Sequence, residues 1–190
     1  MEESKKQIPN ILTIIRVVLS FVCTYLAFKR MWIPSLAVFI IASVTDFLDG
    51  YLARKWNTES NFGKIMDPIA DKLLILGVLF SFSMKEIVPL LFTAIIAFRE
   101  VVLTIIRLML APKKIVIAAS KSGKIKTTVQ IGSLVSIYLL LIFNKLLQNY
   151  FSLKTLQYST YILLILVVCV TIYSGIEFFI LNRRAIKKLI

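Results

Sequence analysis

Residues 46–71 read DFLDGYLARKWNTESNFGKIMDPIAD, a run of acidic residues between two long apolar stretches. Asp46 and Asp49 are three residues apart, and Asp67 and Asp71 are four residues apart. Residues at these separations share one face of a helix. Two antiparallel helices joined by a short loop near residues 55–61 would therefore aim all four carboxylates at one another.

Facing carboxylates need a counter-charge, because otherwise they repel one another and take up protons. Divalent cations with oxygen ligands supply that charge, and Mg²⁺ completes its shell with water and substrate phosphate. The spacing therefore predicts a two-metal site, a type that suits displacement at phosphorus. The simpler alternative is a set of salt bridges inside the membrane with Lys72, Arg16 or Arg99. Four acids on two matched faces exceed what such pairing needs.

The chain as a whole is unusually apolar. Of its 190 residues, 58% are hydrophobic and 12% aromatic, and the mean hydropathy is +0.85. Average soluble domains are about 45–50% apolar, and a chain of this size cannot bury so many apolar side chains in one core. The composition excludes an ordinary soluble globular protein and also a disordered one.

Six apolar stretches come close to the length of about 20 residues that crosses the hydrocarbon core of a membrane. They predict an all-α integral membrane protein with six transmembrane helices. We expect a single domain over residues 1–190, with a short cytoplasmic segment at about residues 1–8. The third span places Pro68 in its first helical turn. The predicted spans are Ile11–Phe28, Met31–Leu52, Ile65–Met84, Ile87–Leu110, Ile125–Phe143 and Leu156–Leu181.

The basic residues set the orientation of these spans. The chain has 23 Lys and Arg, 10 Asp and Glu and no His, which gives a net charge of +13. Fourteen Lys and Arg fall in or at the edge of the loops on the side of the termini, and five fall in the opposite loops. By the positive-inside rule, both termini are cytoplasmic. Topology and contact with anionic lipid explain most of the charge, so nucleic acid is not expected as a partner.

Ionisable residues inside the spans lie mostly at one depth. Charge in a membrane is costly and is typical of functional sites. With the predicted orientation, Arg16, Asp46, Asp71, Arg107 and Glu177 all fall in the cytoplasmic leaflet. A shared polar cavity that opens to the cytoplasm explains this better than independent snorkelling residues, which would favour both interfaces.

The complete pattern is Asp46-x2-Asp49-Gly50-x2-Ala53-Arg54-x8-Gly63-x3-Asp67-x3-Asp71. It resembles the signature of the CDP-alcohol phosphotransferase family at all eight positions and with the same gaps. The resemblance implies a six-helix membrane bundle, commonly a homodimer, with its active site on the cytoplasmic side of the cell membrane. It also implies a transferase of lipid metabolism that uses Mg²⁺ or Mn²⁺ at a two-metal site.

Further segments are most similar to the family members that lead to phosphatidylglycerol. Those members transfer a phosphatidyl group from CDP-diacylglycerol to glycerol 3-phosphate and release CMP, as a step of phospholipid biosynthesis. The resemblance implies the same two substrates here, with inositol phosphate or serine as alternative acceptors within the family. The segments are Pro9–Arg16, Asp49–Trp56, Asp67–Lys72, Arg99–Glu100 and Gly123–Thr127.

The resemblance also implies roles for individual residues. Asp46, Asp49, Asp67 and Asp71 would bind the metals, and Asp71 would be the base that deprotonates the attacking hydroxyl. N-capping by Asn10 and snorkelling by Arg16 are simpler explanations for the polar face of the first helix. The residues expected to contact CDP-diacylglycerol, from the pattern and from that face, are Asn10, Thr13, Arg16, Gly50, Ala53, Arg54, Ser60 and Gly63.

A phosphorylated acceptor needs cations in addition to the metals. Arg99, Arg107, Lys124 and Lys126 fall on the cytoplasmic halves of the fourth and fifth spans. We predict that these side chains bind the phosphate of the acceptor. For Lys124 and Lys126 a purely topological role is equally compatible with the sequence.

Two functions outside the family remain open. A membrane prenyltransferase also places paired acids on facing helices, but it typically has more spans, and Gly50, Ala53 and Arg54 would have no role there. A cation channel or transporter would use the acids as a permeation path. That path would need polar residues across the whole membrane, whereas the outer halves of the spans are apolar.

Overall fold

In the computed structural model, every regular element of the described residues is an α-helix, which confirms the all-α prediction. The structure describes residues 2–56, 61–110, 121–148 and 151–186, with side chains at 11–46, 66–110, 122–148 and most of 151–186. Each of the six long helices overlaps one predicted span. The helices are α1 (Glu2–Phe28), α2 (Trp32–Trp56), α3 (Asn61–Met84), α4 (Leu90–Leu110), α5 (Lys121–Leu146), α6 (Leu153–Leu181) and the short α7 (Arg183–Ile186).

Within the described residues, three helical segments are long and apolar enough to cross a membrane. They are Ile11–Phe28 in α1, Ser122–Leu146 in α5 and Lys154–Leu181 in α6. A shorter apolar segment, Trp32–Asp46, makes up the first part of α2. The helices therefore fit a multi-pass membrane protein, whereas the count of six spans and their orientation remain predictions.

Pro68 lies inside α3 and not in its first turn, so that detail of the sequence analysis is wrong. The apolar run begins at Ile65, but the helix already begins at Asn61. Proline removes one helical hydrogen bond, a loss that membrane helices tolerate because nearby groups satisfy the backbone instead. Because α3 continues through Pro68, Asp67 and Asp71 lie one turn apart within a continuous helix.

The first compact unit, Met1–Lys85, contains α1, α2 and α3. In this unit α1 packs along both other helices. Gly77 of α3 lies so close to α1 that a Cβ atom there would collide with the Thr24 hydroxyl. Small residues allow such close approach between membrane helices. The Ser81 hydroxyl adds a 3.0 Å hydrogen bond to the Thr24 carbonyl and ties α3 to α1 at the same level.

The second compact unit, Glu86–Ile190, contains α4 to α7. Both α4 and α5 pack against α6 in this unit. Ile96, Ile137 and Leu164 are buried between the helices, together with several polar side chains described below. Large apolar side chains point outward, as Phe98 does at 73% exposure, which suits a surface in contact with lipid.

Candidate active site

Helix α1 holds two of the predicted acids through one polar face. The Thr13 hydroxyl donates to Oδ1 of Asp67 on α3 at 2.7 Å. Three residues further along α1, Nη1 of Arg16 lies 2.6 Å from Oδ1 of Asp46 on α2. Because α1 runs between α2 and α3, these two contacts bring the acidic segments of both helices to the same level of the unit.

The Arg16–Asp46 pair is asymmetric in its burial. The side chain of Arg16 is fully buried, whereas that of Asp46 is 47% exposed. A buried guanidinium requires a charged partner, since an isolated charge in an apolar interior is strongly unfavourable. The pair therefore fixes the orientation of a carboxylate that remains about half exposed.

The acidic pair on α3 lies in the same electrostatic environment. Asp71 accepts from Nζ of Lys72 at 2.8 Å, and its side chain is 31% exposed. Asp46 interacts electrostatically with Asp67, Asp71 and Lys72. Three of the four predicted metal-binding acids are thus gathered in the first unit, each from the helix on which the sequence placed it.

Several other predicted site residues have described backbones only. Asp49 lies one turn after Asp46 on α2, so the helical face expected for this pair is present. The side chains of Asp49, Asn10, Gly50, Ala53, Arg54 and Gly63 are outside the described part of the structure, and Ser60 lies outside it altogether. Their proposed contacts with the donor stay predictions.

The described acids offer a donor set that fits a hard divalent cation. Asp46, Asp67 and Asp71 supply only carboxylate oxygens, the ligand type that Mg²⁺ and Mn²⁺ prefer. The described side chains do not by themselves form a compact group of three ligands around one point. The predicted set also includes Asp49, whose side chain lies outside the described residues.

Two of the predicted acceptor-binding cations meet in the second unit. Nη1 of Arg99 lies 3.2 Å from Oε1 of Glu100, and Nζ of Lys126 contacts the same oxygen. Glu100 and Lys126 are each only 2% exposed, and Arg99 is 15% exposed. Nη2 of Arg99 also donates to the Ser174 hydroxyl at 2.5 Å. Two cations share one carboxylate, so this cluster has a net positive charge.

The other two predicted acceptor-binding residues are on the surface. Lys124 is exposed, and the exposed Arg107 guanidinium lies 5.4 Å from the centre of the Phe178 ring. The structure therefore brings Arg99 and Lys126 together in a buried cluster, whereas Arg107 and Lys124 lie at exposed positions on their helices.

Sequence reasoning missed two hydroxyls beside this buried cluster, Ser122 of α5 and Ser174 of α6. Ser122 donates to Oε2 of Glu177, and Ser174 accepts from Arg99. A signal was available in the spacing: Ser122 and Lys126 are four residues apart on α5, and Ser174 and Glu177 are three apart on α6. Each pair occupies one helical face. Hydroxyls are common in apolar helices, however, so their presence does not by itself indicate a site.

Comparison with known proteins agrees with this architecture. Residues 6–173 match the family model of CDP-alcohol phosphatidyltransferases. Three similar proteins bear the name CDP-diacylglycerol–glycerol-3-phosphate 3-phosphatidyltransferase. The Bacillus subtilis protein is 40% identical over 150 residues, which cover 79% of this chain and 74% of that protein. The Rickettsia felis protein is 37% identical over 135 residues, which cover 68% and 73%.

The Cereibacter sphaeroides protein is 39% identical over 139 residues, covering 70% of this chain but less than two thirds of that protein, 63%. The family match spans the acids of α2 and α3 as well as the buried ions of α4 and α5. From this match and from the identity to the relatives, we conclude that the chain belongs to the CDP-alcohol phosphatidyltransferase family.

Proposed function

We propose that this protein transfers a phosphatidyl group from CDP-diacylglycerol to glycerol 3-phosphate, giving phosphatidylglycerophosphate and CMP. The observation that carries the proposal is the pair of contacts from α1, Thr13 to Asp67 and Arg16 to Asp46. They position the acids of a family signature at one level of a helix bundle that fits a membrane. The names of the similar proteins indicate the two substrates.

The reaction is a substitution at the phosphorus that bears the diacylglycerol. The oxygen of the attacking hydroxyl of glycerol 3-phosphate forms the new bond to this phosphorus. The bond between this phosphorus and the oxygen that links it to CMP breaks. CMP leaves with the electron pair of that bond. Asp71, a partly exposed carboxylate on α3, accepts the proton of the attacking hydroxyl.

Asp46, Asp49, Asp67 and Asp71 would hold the divalent cations, Mg²⁺ or Mn²⁺, in the active enzyme. When bound, these ions neutralise the pyrophosphate and the charge that develops on the leaving CMP. The protein's own contribution is orientation. Thr13 fixes one oxygen of Asp67, which leaves the geometry of that carboxylate defined before substrate binds.

The donor would lie along α1 and the acidic segment. Thr13 and Arg16 contact the acids from α1, which supports a role for this face beside the nucleotide. We extend the proposal to the remaining pattern residues, whose small side chains would let the pyrophosphate approach the backbone. The proposed donor contacts are Asn10, Thr13, Arg16, Gly50, Ala53, Arg54, Ser60 and Gly63.

The acceptor's phosphate would bind the cations of the second unit. The cluster of Arg99, Glu100 and Lys126 keeps a net positive charge within buried surroundings, where an ion pair with phosphate is strong. Arg107 and Lys124 would attract the anionic acceptor from their exposed positions. A neutral acceptor would have no use for this excess of cations.

The membrane setting follows from the donor, because its acyl chains remain in the leaflet while the nucleotide reaches the acids. We propose six spans, both termini in the cytoplasm, and an active site that faces the cytoplasm from the cell membrane. The proposal includes a single domain over the chain and a homodimer in lipid. The excess of basic residues on the side of the termini supports this orientation.

The deciding experiment measures CMP release by the purified protein in detergent micelles containing CDP-diacylglycerol and Mg²⁺ or Mn²⁺. Glycerol 3-phosphate, inositol phosphate and serine are compared as acceptors. We expect release with glycerol 3-phosphate and phosphatidylglycerophosphate as its product. Release with only inositol phosphate or serine would replace the acceptor in the proposal.

No CMP release with any acceptor would overturn the enzymatic proposal itself. Two further measurements then test the other functions. Diphosphate release from a prenyl diphosphate would indicate a prenyltransferase, and cation flux into liposomes would indicate a channel or transporter.

A further inference from the structure

A column of polar side chains runs through the second unit, and we call it the polar seam. It is built by α4, α5 and α6 and has three layers, each one helical turn from the next. Its residues are Ser122 and Glu177 in the first layer, Arg99, Glu100, Lys126 and Ser174 in the second, and Gln130 and Thr171 in the third.

Hydrogen bonds fix the register of these layers. Ser122 on α5 donates to Glu177 on α6, and at the opposite end of the helix pair the backbone N–H of Phe151 donates to Asn144 at 2.8 Å. The two helices are therefore antiparallel. Gln130 lies eight residues after Ser122 on α5, and Thr171 lies six residues before Glu177 on α6. These separations correspond to about 12 Å and about 9 Å along the two helices, so the two residues lie within about 3 Å of one level.

The third layer differs from the other two in its hydrogen bonding. Gln130 is 1% exposed and Thr171 is fully buried. Neither the amide nitrogen nor the amide oxygen of Gln130 has a hydrogen-bond partner among the described residues, and the same is true of the Thr171 hydroxyl. In the adjacent second layer, Nε of Arg99 also has none there.

Such a concentration of unsatisfied groups needs an explanation. Buried polar side chains nearly always find partners, because leaving one unsatisfied costs its full desolvation free energy. The unsatisfied atoms lie on α4, α5 and α6, in the second layer and in the third layer next to it. Among the described residues of the seam, only the second layer has buried cations. Groups arranged in this way are typical of a site that a polar ligand completes.

The chemistry of the groups indicates what that ligand is. An amide offers both donors and an acceptor, and a threonine hydroxyl can donate or accept, so together they match a neutral hydroxyl group. Nε of Arg99 is a donor on a charged group, which matches an anion. One helical turn, about 5.4 Å, separates the two layers, a distance that a three-carbon phosphate ester can span.

We propose that Gln130 and Thr171 bind the non-reacting hydroxyl of the acceptor while Arg99 pairs with its phosphate. This inference rests on the proposed function, because it concerns how glycerol 3-phosphate is selected. Burial excludes water that would compete for the hydroxyl, and a site built to hydrogen-bond a hydroxyl discriminates strongly against analogues that lack it. The acceptor must part the side chains of the seam to reach this layer.

The experiment compares two acceptors with the full-length protein in micelles. Glycerol 3-phosphate has the hydroxyl in question, whereas 3-hydroxypropyl phosphate lacks it but keeps the attacking hydroxyl and the phosphate. CMP release gives kcat/KM for each, and the ratio of the two values measures recognition of the hydroxyl. We expect the native protein to favour glycerol 3-phosphate by roughly 10-fold or more.

Gln130→Leu and Thr171→Val should each lower this ratio towards one. The loss should fall on glycerol 3-phosphate, with kcat/KM for the analogue unchanged. Neither change removes a hydrogen bond to another described residue, so both variants should fold. If one variant fails to fold, the other still provides the test.

Asn144→Leu is the matched control. Asn144 is the other buried amide of α5, 6% exposed, but its oxygen accepts from Phe151. This variant should lose thermal stability and keep the native acceptor ratio. A change in side-chain volume or polarity alone would affect both amides in the same way.

Two results would overturn the inference while leaving the proposed function intact: no discrimination by the native protein, or a native ratio in both seam variants. Either would mean that the third layer holds only water or packs without a ligand. Absence of CMP release from glycerol 3-phosphate by the native protein would overturn the proposed function, and this inference would fall with it.

Discussion

The Thr13 hydroxyl donates a 2.7 Å hydrogen bond to Oδ1 of Asp67, 54 residues further along the chain. The donor is buried in α1, and the acceptor belongs to the acidic segment that begins in the second turn of α3. Because this hydrogen bond holds Oδ1 of Asp67 towards α1, it also fixes the direction of the other carboxylate oxygen, Oδ2. This contact links the first helix to the chemistry proposed for the acids.

We expect Thr13→Val to lower kcat/KM for CMP release by about 10- to 150-fold, because a hydrogen bond to a charged group contributes about 1.5–3 kcal/mol. Valine keeps the shape of threonine but has no hydroxyl. Thr13→Ser is the control, since it restores the donor and should recover most of the activity. A valine variant with native turnover would show that the bond serves packing only.

Asp71→Asn should reduce kcat by about 100- to 10,000-fold, the range expected for loss of a general base. The amide has nearly the same size as the carboxylate but cannot accept the proton of the attacking hydroxyl. The protein should remain folded, as judged by its elution from a sizing column in detergent. Glu86→Gln makes the same chemical change at an exposed position and should leave turnover unaltered. Near-native activity of the Asp71 variant would refute its role as the base.

Chelation of divalent cations should stop CMP release, and added Mg²⁺ or Mn²⁺ should restore it. Asp67→Asn should raise the Mg²⁺ concentration needed for half-maximal activity, because one negatively charged ligand is lost. Titration of CMP release against free Mg²⁺ measures this shift. Undiminished activity in excess chelator would contradict the assignment of the acids as metal ligands.

Gly77→Ala should destabilise the first unit by about 1–3 kcal/mol, since the new methyl group collides with the Thr24 hydroxyl. Thermal unfolding in micelles reports the change. Gly132→Ala is the control: apart from its chain neighbours and the backbone of its own helix, no atom of the described residues lies within 4 Å of the added Cβ. Replacing a helical glycine there should stabilise by about 0.5–1 kcal/mol. Adding Thr24→Ala to the Gly77 variant should restore stability. Failure of that rescue would place the strain elsewhere.

Glu100→Gln should lower stability by about 3–5 kcal/mol, because it breaks a buried ion pair and leaves cations without their counter-charge. The double variant Glu100→Gln with Lys126→Gln keeps the net charge of the cluster and should recover most of that loss. If Lys126 also binds the acceptor, the double variant will regain stability but not its native KM for glycerol 3-phosphate. Recovery of both properties would limit Lys126 to a structural role.

The polar face of α1 shows how far the sequence could lead. Thr13 and Arg16 are three residues apart, and this spacing predicted that both would face one cavity. Both side chains do contact acids of the predicted site. The sequence could not predict which acid each of the two side chains contacts, because any of the nearby acids is compatible with their three-residue spacing.

The cations of the second unit show where sequence reasoning stopped. Arg99, Arg107, Lys124 and Lys126 have the same charge and fall on the cytoplasmic side in the sequence-based topology, with Arg99 somewhat deeper. The sequence therefore predicted the same role for all four. In the structure Arg99 and Lys126 are buried beside Glu100, whereas Arg107 and Lys124 are exposed. Burial depends on the rotation of each helix about its axis, which a single sequence does not specify here.

By itself the sequence determined the helical class, the apolar character and the placement of Asp46, Asp49, Asp67 and Asp71 on helical faces. These properties are local, because helical periodicity and hydropathy act between residues a few positions apart. Only the tertiary structure decided the partners of the buried charges. Lys126 meets Glu100 across 26 residues, and Arg99 meets Ser174 across 75. Such pairs depend on how whole helices pack and align, and the free energy that selects them is spread over every contact of those helices.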